Sequence, residues 1–109
     1  MRKPVGVYLT REAAEFYRSL RNESKLKRAI DRGLDILREN MFAGERVKKR
    51  LIPKYYIERY GIRNLYRLRL DRKRRLAYTL LADTEGVKVV VLEVFPDHKS
   101  YNKRFGYKR

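Results

Sequence analysis

The chain has 109 residues, enough for one compact domain, because two separate cores would each bury too little apolar surface to offset their ordering entropy. It carries 29 Lys and Arg against 13 Asp and Glu, a formal net charge of +16 that favours a polyanionic partner. The absence of cysteine excludes disulfides, thiolate catalysis and cysteine-based zinc sites, and a single histidine excludes a histidine-rich metal site. We therefore expect neither a metal nor another cofactor.

The positive charge is concentrated in the second part of the chain. Residues 1–40 carry 10 basic and 6 acidic side chains, whereas residues 41–109 carry 19 and 7. The anion-binding surface is accordingly predicted beyond residue 40. The apolar stretch at residues 87–94 is too short to span a bilayer, and no long apolar run follows Arg2 and Lys3. We expect a cytoplasmic protein that does not bind a membrane.

The first part of the chain predicts a strand followed by two helices. Val5, Val7 and Leu9 alternate with other residues, as in a short strand. Thr10 is placed to cap a first helix, and Ser24 a second. Apolar residues recur at helical spacing in both, so an antiparallel helical hairpin is expected; those of the second helix are Leu26, Ala29, Ile30, Gly33, Leu34, Leu37 and Met41.

The rest of the chain predicts an antiparallel sheet. Regularity fades over residues 42–61, where residues 54–60 favour a short helix begun by Pro53. Residues 65–70, 76–81 and 87–95 have strand composition, and the short turns between them imply an antiparallel meander.

The two faces of this meander differ in character. Tyr66, Leu68 and Leu70 alternate with Arg67 and Arg69. In the next strand, the apolar face comprises Leu76, Tyr78 and Leu80, and the opposite face Arg75, Ala77 and Thr79. The fold class is therefore predicted as α+β, with the N-terminal strand and helical hairpin packed on the antiparallel meander and the hairpin covering its apolar face. The arginine face should stay partly open, flanked by residues 45–61 and the C-terminal tail.

Three motifs in the second part resemble the RelE/ParE toxin superfamily. They are Arg-Leu-Ala-Tyr-Thr-Leu at 75–80, Val-Val-Val-Leu-Glu-Val at 89–94 and Asp-His-Lys-Ser-Tyr at 97–101. The order of elements fits over nearly the whole chain, although the segment at 51–61 departs from the shorter members. The resemblance implies one RelE-like domain over residues 1–109, acting as the mRNA-cleaving toxin of a type II toxin-antitoxin system. It also implies the ribosome and a cognate antitoxin as partners.

RNA cleavage by the 2′-hydroxyl of the substrate requires a base, an acid and cations at the phosphate, but no metal. Arg75 is the predicted phosphate clamp, because guanidinium offers a planar fork to phosphate oxygens. The alternative is an arginine that is solvated or paired with Glu93. His98 is the candidate acid or base, because histidine exchanges protons near neutral pH, and Asp97 could orient it. The alternative is a surface histidine in a turn.

Other residues are assigned to RNA contacts or to catalysis. Lys99 would add charge at the scissile phosphate, and Tyr101 would stack on a base or pass a proton; alternatively, Lys99 is solvated and Tyr101 packs against the helices. The predicted RNA-binding residues, which could also be a solvated charged surface, are Lys48, Lys49, Arg50, Lys54, Arg67 and Arg69.

Two other functions remain open at this point. A ParE-like protein would inhibit DNA gyrase by binding it and would need no nuclease chemistry. A basic RNA- or DNA-binding module would keep the fold without any reaction. Arg75, His98 and Tyr101 together favour the endoribonuclease.

Overall fold

The computed structural model describes residues 2–106, which form an α+β fold with a mixed sheet. The helices within these residues are α1 (Arg11–Arg18), α2 (Lys25–Glu39), α3 (Lys54–Tyr60), α4 (His98–Phe105) and a 3-10 turn at Lys49–Leu51. The strands are β1 (Gly6–Leu9), β2 (Glu45–Arg46), β3 (Tyr66–Arg69), β4 (Arg75–Asp83) and β5 (Gly86–Phe95). No helix in this part of the chain is both long and apolar enough to cross a membrane.

The sheet order is β1-β5-β4-β3-β2. The antiparallel meander predicted from the short turns is confirmed, since β4 pairs antiparallel with both β3 and β5. β1 lies parallel to β5, from Gly6 beside Lys88 to Leu9 beside Val91, which makes the sheet mixed. This pairing places the first strand beside the last one, β5.

Side-chain capping explains where the predicted helices begin. Thr10 accepts a hydrogen bond from the Ala13 N–H, and Ser24 accepts one from the Lys27 N–H, so both predicted caps are confirmed. The short helix predicted after Pro53 is present as α3. It ends at Gly61, whose φ of 63° is left-handed and favours glycine.

The first hydrophobic core lies between one face of the sheet and the helical hairpin, as predicted. Ile30 and Leu37 of α2 pack there with Leu76 and Tyr78 of β4, and all four side chains are fully buried. Burial of such large side chains is the main source of folding free energy.

The opposite face of the sheet is less open than the sequence predicts. A second buried cluster forms where α3 and α4 fold across it; its members are Val47, Ile52, Tyr56, Leu65, Ala77, Leu92, Phe95 and Tyr101. The arginine-lined face is partly open, as predicted, but α3 and α4 cover part of it instead of only flanking it. At the end near Arg69 and Arg75 this face remains accessible as a cleft.

A β-bulge in β5 makes this second core possible. Ala77 pairs with Glu93 and Tyr78 pairs with Val91, so Leu92 is an extra residue without a partner on β4. Strict alternation would put Glu93 and Phe95 on the same face as Val91. The extra residue instead sends both toward α3 and α4, where Phe95 is buried.

Candidate nucleic-acid interface

A cleft of about 570 Å³ opens on the second face of the sheet, beside the second core. The predicted phosphate clamp Arg75 and two of the predicted RNA-binding arginines, Arg67 and Arg69, meet there with Tyr101. The lining residues are Ala43, Gly44, Glu45, Arg67, Leu68, Arg69, Arg75 and Tyr101. The alternation of β3 and β4 therefore places Arg67, Arg69 and Arg75 on one face, as the sequence predicts.

The arginines of this cleft are close enough to repel one another. Arg69 and Arg75 are directly opposite each other in the β3–β4 ladder, an arrangement in which like charges destabilise a sheet. Arg67 lies two residues before Arg69 on the same strand. Glu45, whose Oε1 is 3.0 Å from Arg67 Nε, is the single carboxylate among the lining residues. The cleft thus holds excess positive charge that an anion would neutralise.

Arg75 has a guanidinium nitrogen without a hydrogen-bond partner. Its Nη1 atom is buried and pairs with no acceptor among residues 2–106. The guanidinium lies over the Tyr101 ring, 5.1 Å from its centroid, and Glu93 is not its partner. A buried donor without an acceptor is costly, so an anion oxygen that reached this atom would relieve that cost.

Tyr101 presents its hydroxyl rather than its ring to the cleft. The ring is buried, stacked on Phe105 at 4.6 Å and edge-on to Phe95 at 5.3 Å between centroids. The hydroxyl oxygen accepts a hydrogen bond of 2.5 Å from Arg67 Nη1. Packing of the ring, the alternative to base stacking, is what the structure shows, so proton transfer by the hydroxyl is the predicted role that remains.

Residues 43–45 form a cleft wall that the sequence does not predict. The Tyr78 hydroxyl donates to the Met41 carbonyl at 2.8 Å and accepts from the Gly44 N–H at 2.9 Å. A Cβ atom at Gly44 would lie 2.8 Å from the Arg67 carbonyl oxygen and from the Tyr78 ring. Only glycine lets this loop approach β3 so closely, and Gly44 otherwise indicates merely a break in regular structure.

His98 and Lys99 lie apart from the cleft lining. They are the first two residues of α4, both exposed, and the His98 Nε2 atom is 3.3 Å from the Arg72 carbonyl oxygen in the β3–β4 turn. The Asp97 carboxylate caps α4 by accepting from the Ser100 N–H, which lowers the pKa of Asp97. The structure therefore does not bring His98 together with Arg75 and Tyr101 in one pocket.

The remaining predicted contacts lie beyond β2. Lys48 precedes the 3-10 turn, Lys49 and Arg50 lie in it, and Lys54 begins α3. All four side chains are exposed. Of the predicted RNA-binding residues, only Arg67 and Arg69 line the cleft itself.

Helix α4 is anchored by a charged group that holds Tyr101 in place. Glu93 accepts from the Tyr56 hydroxyl at 2.6 Å and from Arg104 Nε at 2.9 Å. Burial and the hydrogen bond to Glu93 both raise the pKa of Tyr56, so its hydroxyl stays a donor. Arg104 in turn lies over the Tyr55 ring at 3.6 Å. These contacts fix α4 against β5 and α3.

We expect Glu93→Gln to destabilise the protein by about 1–3 kcal/mol, because the charged carboxylate that accepts hydrogen bonds from both Tyr56 and Arg104 is lost. Thermal unfolding should shift down by about 4–8 °C per kcal/mol. Glu85→Gln is the matched control, since Glu85 is exposed and its carboxylate is 3.6 Å from Lys88 Nζ. Equal melting temperatures for the two variants would contradict the anchoring role of Glu93.

Within residues 2–106, no three His, Asp or Glu side chains form a group that could hold a metal ion.

Neither a protein-family model, nor a curated protein, nor a solved structure matches the chain significantly. The function must therefore be inferred from the motifs and from the geometry of the cleft.

Proposed function

We propose that the chain is a RelE/ParE-type toxin that cleaves mRNA on the ribosome and is held inactive by a cognate antitoxin. The observation that carries the proposal is the cleft in which Arg69 and Arg75 oppose each other beside the Tyr101 hydroxyl. The sequence of β1, helical hairpin, antiparallel meander and closing α4 supports a RelE-like arrangement. A ribosomal substrate requires the toxin to act in the cytoplasm.

The residues of the cleft suit the cleavage of RNA by its own 2′-hydroxyl. The 2′-oxygen attacks phosphorus as its proton leaves, and the 5′-oxygen departs with a proton, leaving a cyclic phosphate and a 5′-hydroxyl. The guanidinium of Arg75 would bind the phosphate oxygens as negative charge builds on them. Arg67 stabilises negative charge on the Tyr101 oxygen, which would pass a proton to or from the RNA.

His98 and Lys99 have a different place in this proposal. Because they lie at the start of α4 near Arg72, an RNA strand in the cleft would reach them only by extending past the β3–β4 turn. Lys99 would then neutralise a neighbouring phosphate. The role of His98 as acid or base remains a prediction, and it requires the RNA to bridge the cleft and the turn.

A second candidate is a binder without nuclease chemistry, either of DNA gyrase or of nucleic acid. The position of His98 outside the cleft favours it, because the residue best suited to proton transfer is then missing from the charged pocket. Binding by the three arginines would be unaffected.

Translation in vitro with and without the protein, followed by primer extension on the message, tests the proposal. We expect cleavage by the wild type, loss of cleavage with Arg75→Ala and a smaller loss with His98→Ala. An intact message together with blocked DNA supercoiling by gyrase would establish the second candidate instead. Equal cleavage by the wild type and both variants would refute the assignment of these two residues.

A further inference from the structure

A second basic depression, of about 330 Å³, begins at Arg46, the β2 residue that follows Glu45 of the arginine cleft. Four of its lining residues are cations and none is acidic. The lining residues are Arg46, Val47, Lys48, Lys49, Ile52, Arg63 and Asn64. The sequence points to Lys48 and Lys49 within a longer basic run but not to Arg46 or Arg63.

Most of the 13 acidic side chains of the protein are engaged elsewhere. Nine of them form salt bridges within residues 2–106: Glu12, Glu15, Asp35, Glu39, Glu45, Asp71, Asp83, Glu85 and Glu93. None of these bridges involves a cation of the second depression. Arg46 contacts only Tyr66 within the described residues, through a long hydrogen bond of 3.4 Å to its hydroxyl and a guanidinium placed 5.7 Å from its ring centroid. Lys48, Lys49 and Arg63 have no side-chain partner in the described part of the chain.

The backbone on both sides of this depression is held firmly. Arg63 lies two residues after Gly61, the left-handed residue that ends α3. The residue after Arg63, Asn64, is hydrogen-bonded to β4. The Asn64 side chain donates to the Leu80 carbonyl at 3.0 Å and accepts from the Leu80 N–H at 2.8 Å. On the other side, Val47 is buried in the second core. The cations are therefore gathered by ordered structure, which reduces the entropy lost on binding an anion.

The two basic pockets are neighbours along one strand. Glu45 lines the arginine cleft, and Arg46, the next residue, lines the second depression. In the β2–β3 ladder they pair with Arg67 and Tyr66. The two pockets therefore adjoin at this edge strand, which is close enough for one nucleic-acid strand to contact both.

We propose that Arg46, Lys48, Lys49 and Arg63 form a second phosphate-binding site, which holds a backbone phosphate of the RNA strand whose scissile phosphate lies in the arginine cleft. The second half of this statement rests on the proposed function. RNA is favoured over an acidic protein because the lining offers concentrated charge and its two apolar side chains, Val47 and Ile52, are both buried. Protein interfaces, by contrast, have an apolar centre.

The test measures binding of a short single-stranded RNA with 2′-O-methyl groups, which cannot be cleaved by 2′-hydroxyl attack. The variant is Lys48→Gln/Lys49→Gln/Arg63→Gln. The control is Lys25→Gln/Arg28→Gln/Arg32→Gln, which removes the same charge from exposed positions of α2 on the other side of the sheet. Fluorescence anisotropy at several salt concentrations gives the slope of log affinity against log salt.

We expect the slope to fall in magnitude by about 0.7 in the first variant, since one phosphate contact with a single strand contributes about that much. The control should retain the wild-type slope. Equal slopes in the two variants would overturn the site, because net charge alone would then explain binding. The site would also be overturned, in favour of an acidic protein partner, by a second outcome. In that outcome poly-glutamate binds as tightly as RNA, and the first variant weakens the binding of both equally.

Message cleavage measured in parallel separates this site from the proposed function. Cleavage that depends on Arg75, together with an unchanged slope in the Lys48/Lys49/Arg63 variant, would refute the second site and leave the nuclease. A reduced slope without any message cleavage would refute the nuclease and leave the second site as a nucleic-acid contact.

Discussion

Replacement of Arg75 by alanine is expected to lower the rate of message cleavage by about 10²–10³-fold, the usual effect of removing one donor to a developing oxyanion. The same change should alter the free energy of unfolding by less than about 1 kcal/mol. Loss of the contact with the Tyr101 ring is offset because the unpaired Nη1 atom and the repulsion from Arg69 disappear as well. Activity should therefore depend strongly on this side chain and stability only weakly.

Two controls sharpen this experiment. Arg75→Lys keeps the charge but loses the planar fork, so we expect an intermediate rate. Arg32→Ala removes an exposed cation from α2, on the other side of the sheet, and should leave the rate unchanged. Cleavage by Arg75→Ala at the wild-type rate would rule out the clamp. Unfolding of that variant at ambient temperature would instead indicate a structural arginine, and Arg75→Lys would then be the informative comparison.

Replacement of Tyr78 by phenylalanine is expected to be the most destabilising of the changes considered, by about 2–4 kcal/mol. The ring would stay in the first core, but the Met41 carbonyl and the Gly44 N–H would each lose the hydroxyl that satisfies them. Tyr78 is fully buried, so water cannot readily replace it. Urea unfolding measures the effect. Because residues 43–45 form one wall of the arginine cleft, RNA affinity should fall as well.

Tyr66→Phe is the matched control for Tyr78→Phe. The two rings stack at 5.2 Å between centroids, yet the Tyr66 hydroxyl accepts only the long bond from Arg46. We expect Tyr66→Phe to cost less than about 1 kcal/mol. Equal losses of stability in the two variants would mean that the hydroxyl of Tyr78 is unimportant and that only the ring contributes.

The stability contributed by Tyr78 should also depend on pH. Burial raises the pKa of Tyr78 to about 12 from its ordinary value of 10.0. A raised pKa in the folded state gives stability that is fully present below pH 10.0 and is lost as the pH rises toward about 12. Urea unfolding across this interval should show a smaller loss for Tyr78→Phe than for the wild type. Parallel pH curves would contradict the buried, protonated hydroxyl.

Features set by local sequence could be predicted from the sequence. The caps at Thr10 and Ser24, the start of α3 after Pro53 and the common face of Arg67, Arg69 and Arg75 are all as expected. Each depends on side-chain hydrogen bonding within one turn or on the alternation of a strand. Such features involve few residues and little loop entropy.

Features that depend on distant pairing could not be predicted. The parallel contact between β1 and β5 joins residues about eighty positions apart, and no periodicity indicates it. The helix α4 buries Tyr101 against Phe95, whereas the sequence there shows only a short polar segment with two aromatic residues. The sequence favours a single pocket for Arg75 and His98, but the start of α4 near Arg72 places His98 elsewhere.

Because Leu92 has no partner on β4, each residue after it in β5 faces the opposite side of the sheet from the one that strict alternation would give. If Leu92 instead paired regularly with Ala77, the residues from Glu93 to Phe95 would each face the opposite side of the sheet. Tyr101 would lose the ring against which it packs, and Arg104 would lose its carboxylate. The pairing register at the end of β5 thus determines whether α4 can pack against the sheet and place the Tyr101 hydroxyl in the cleft.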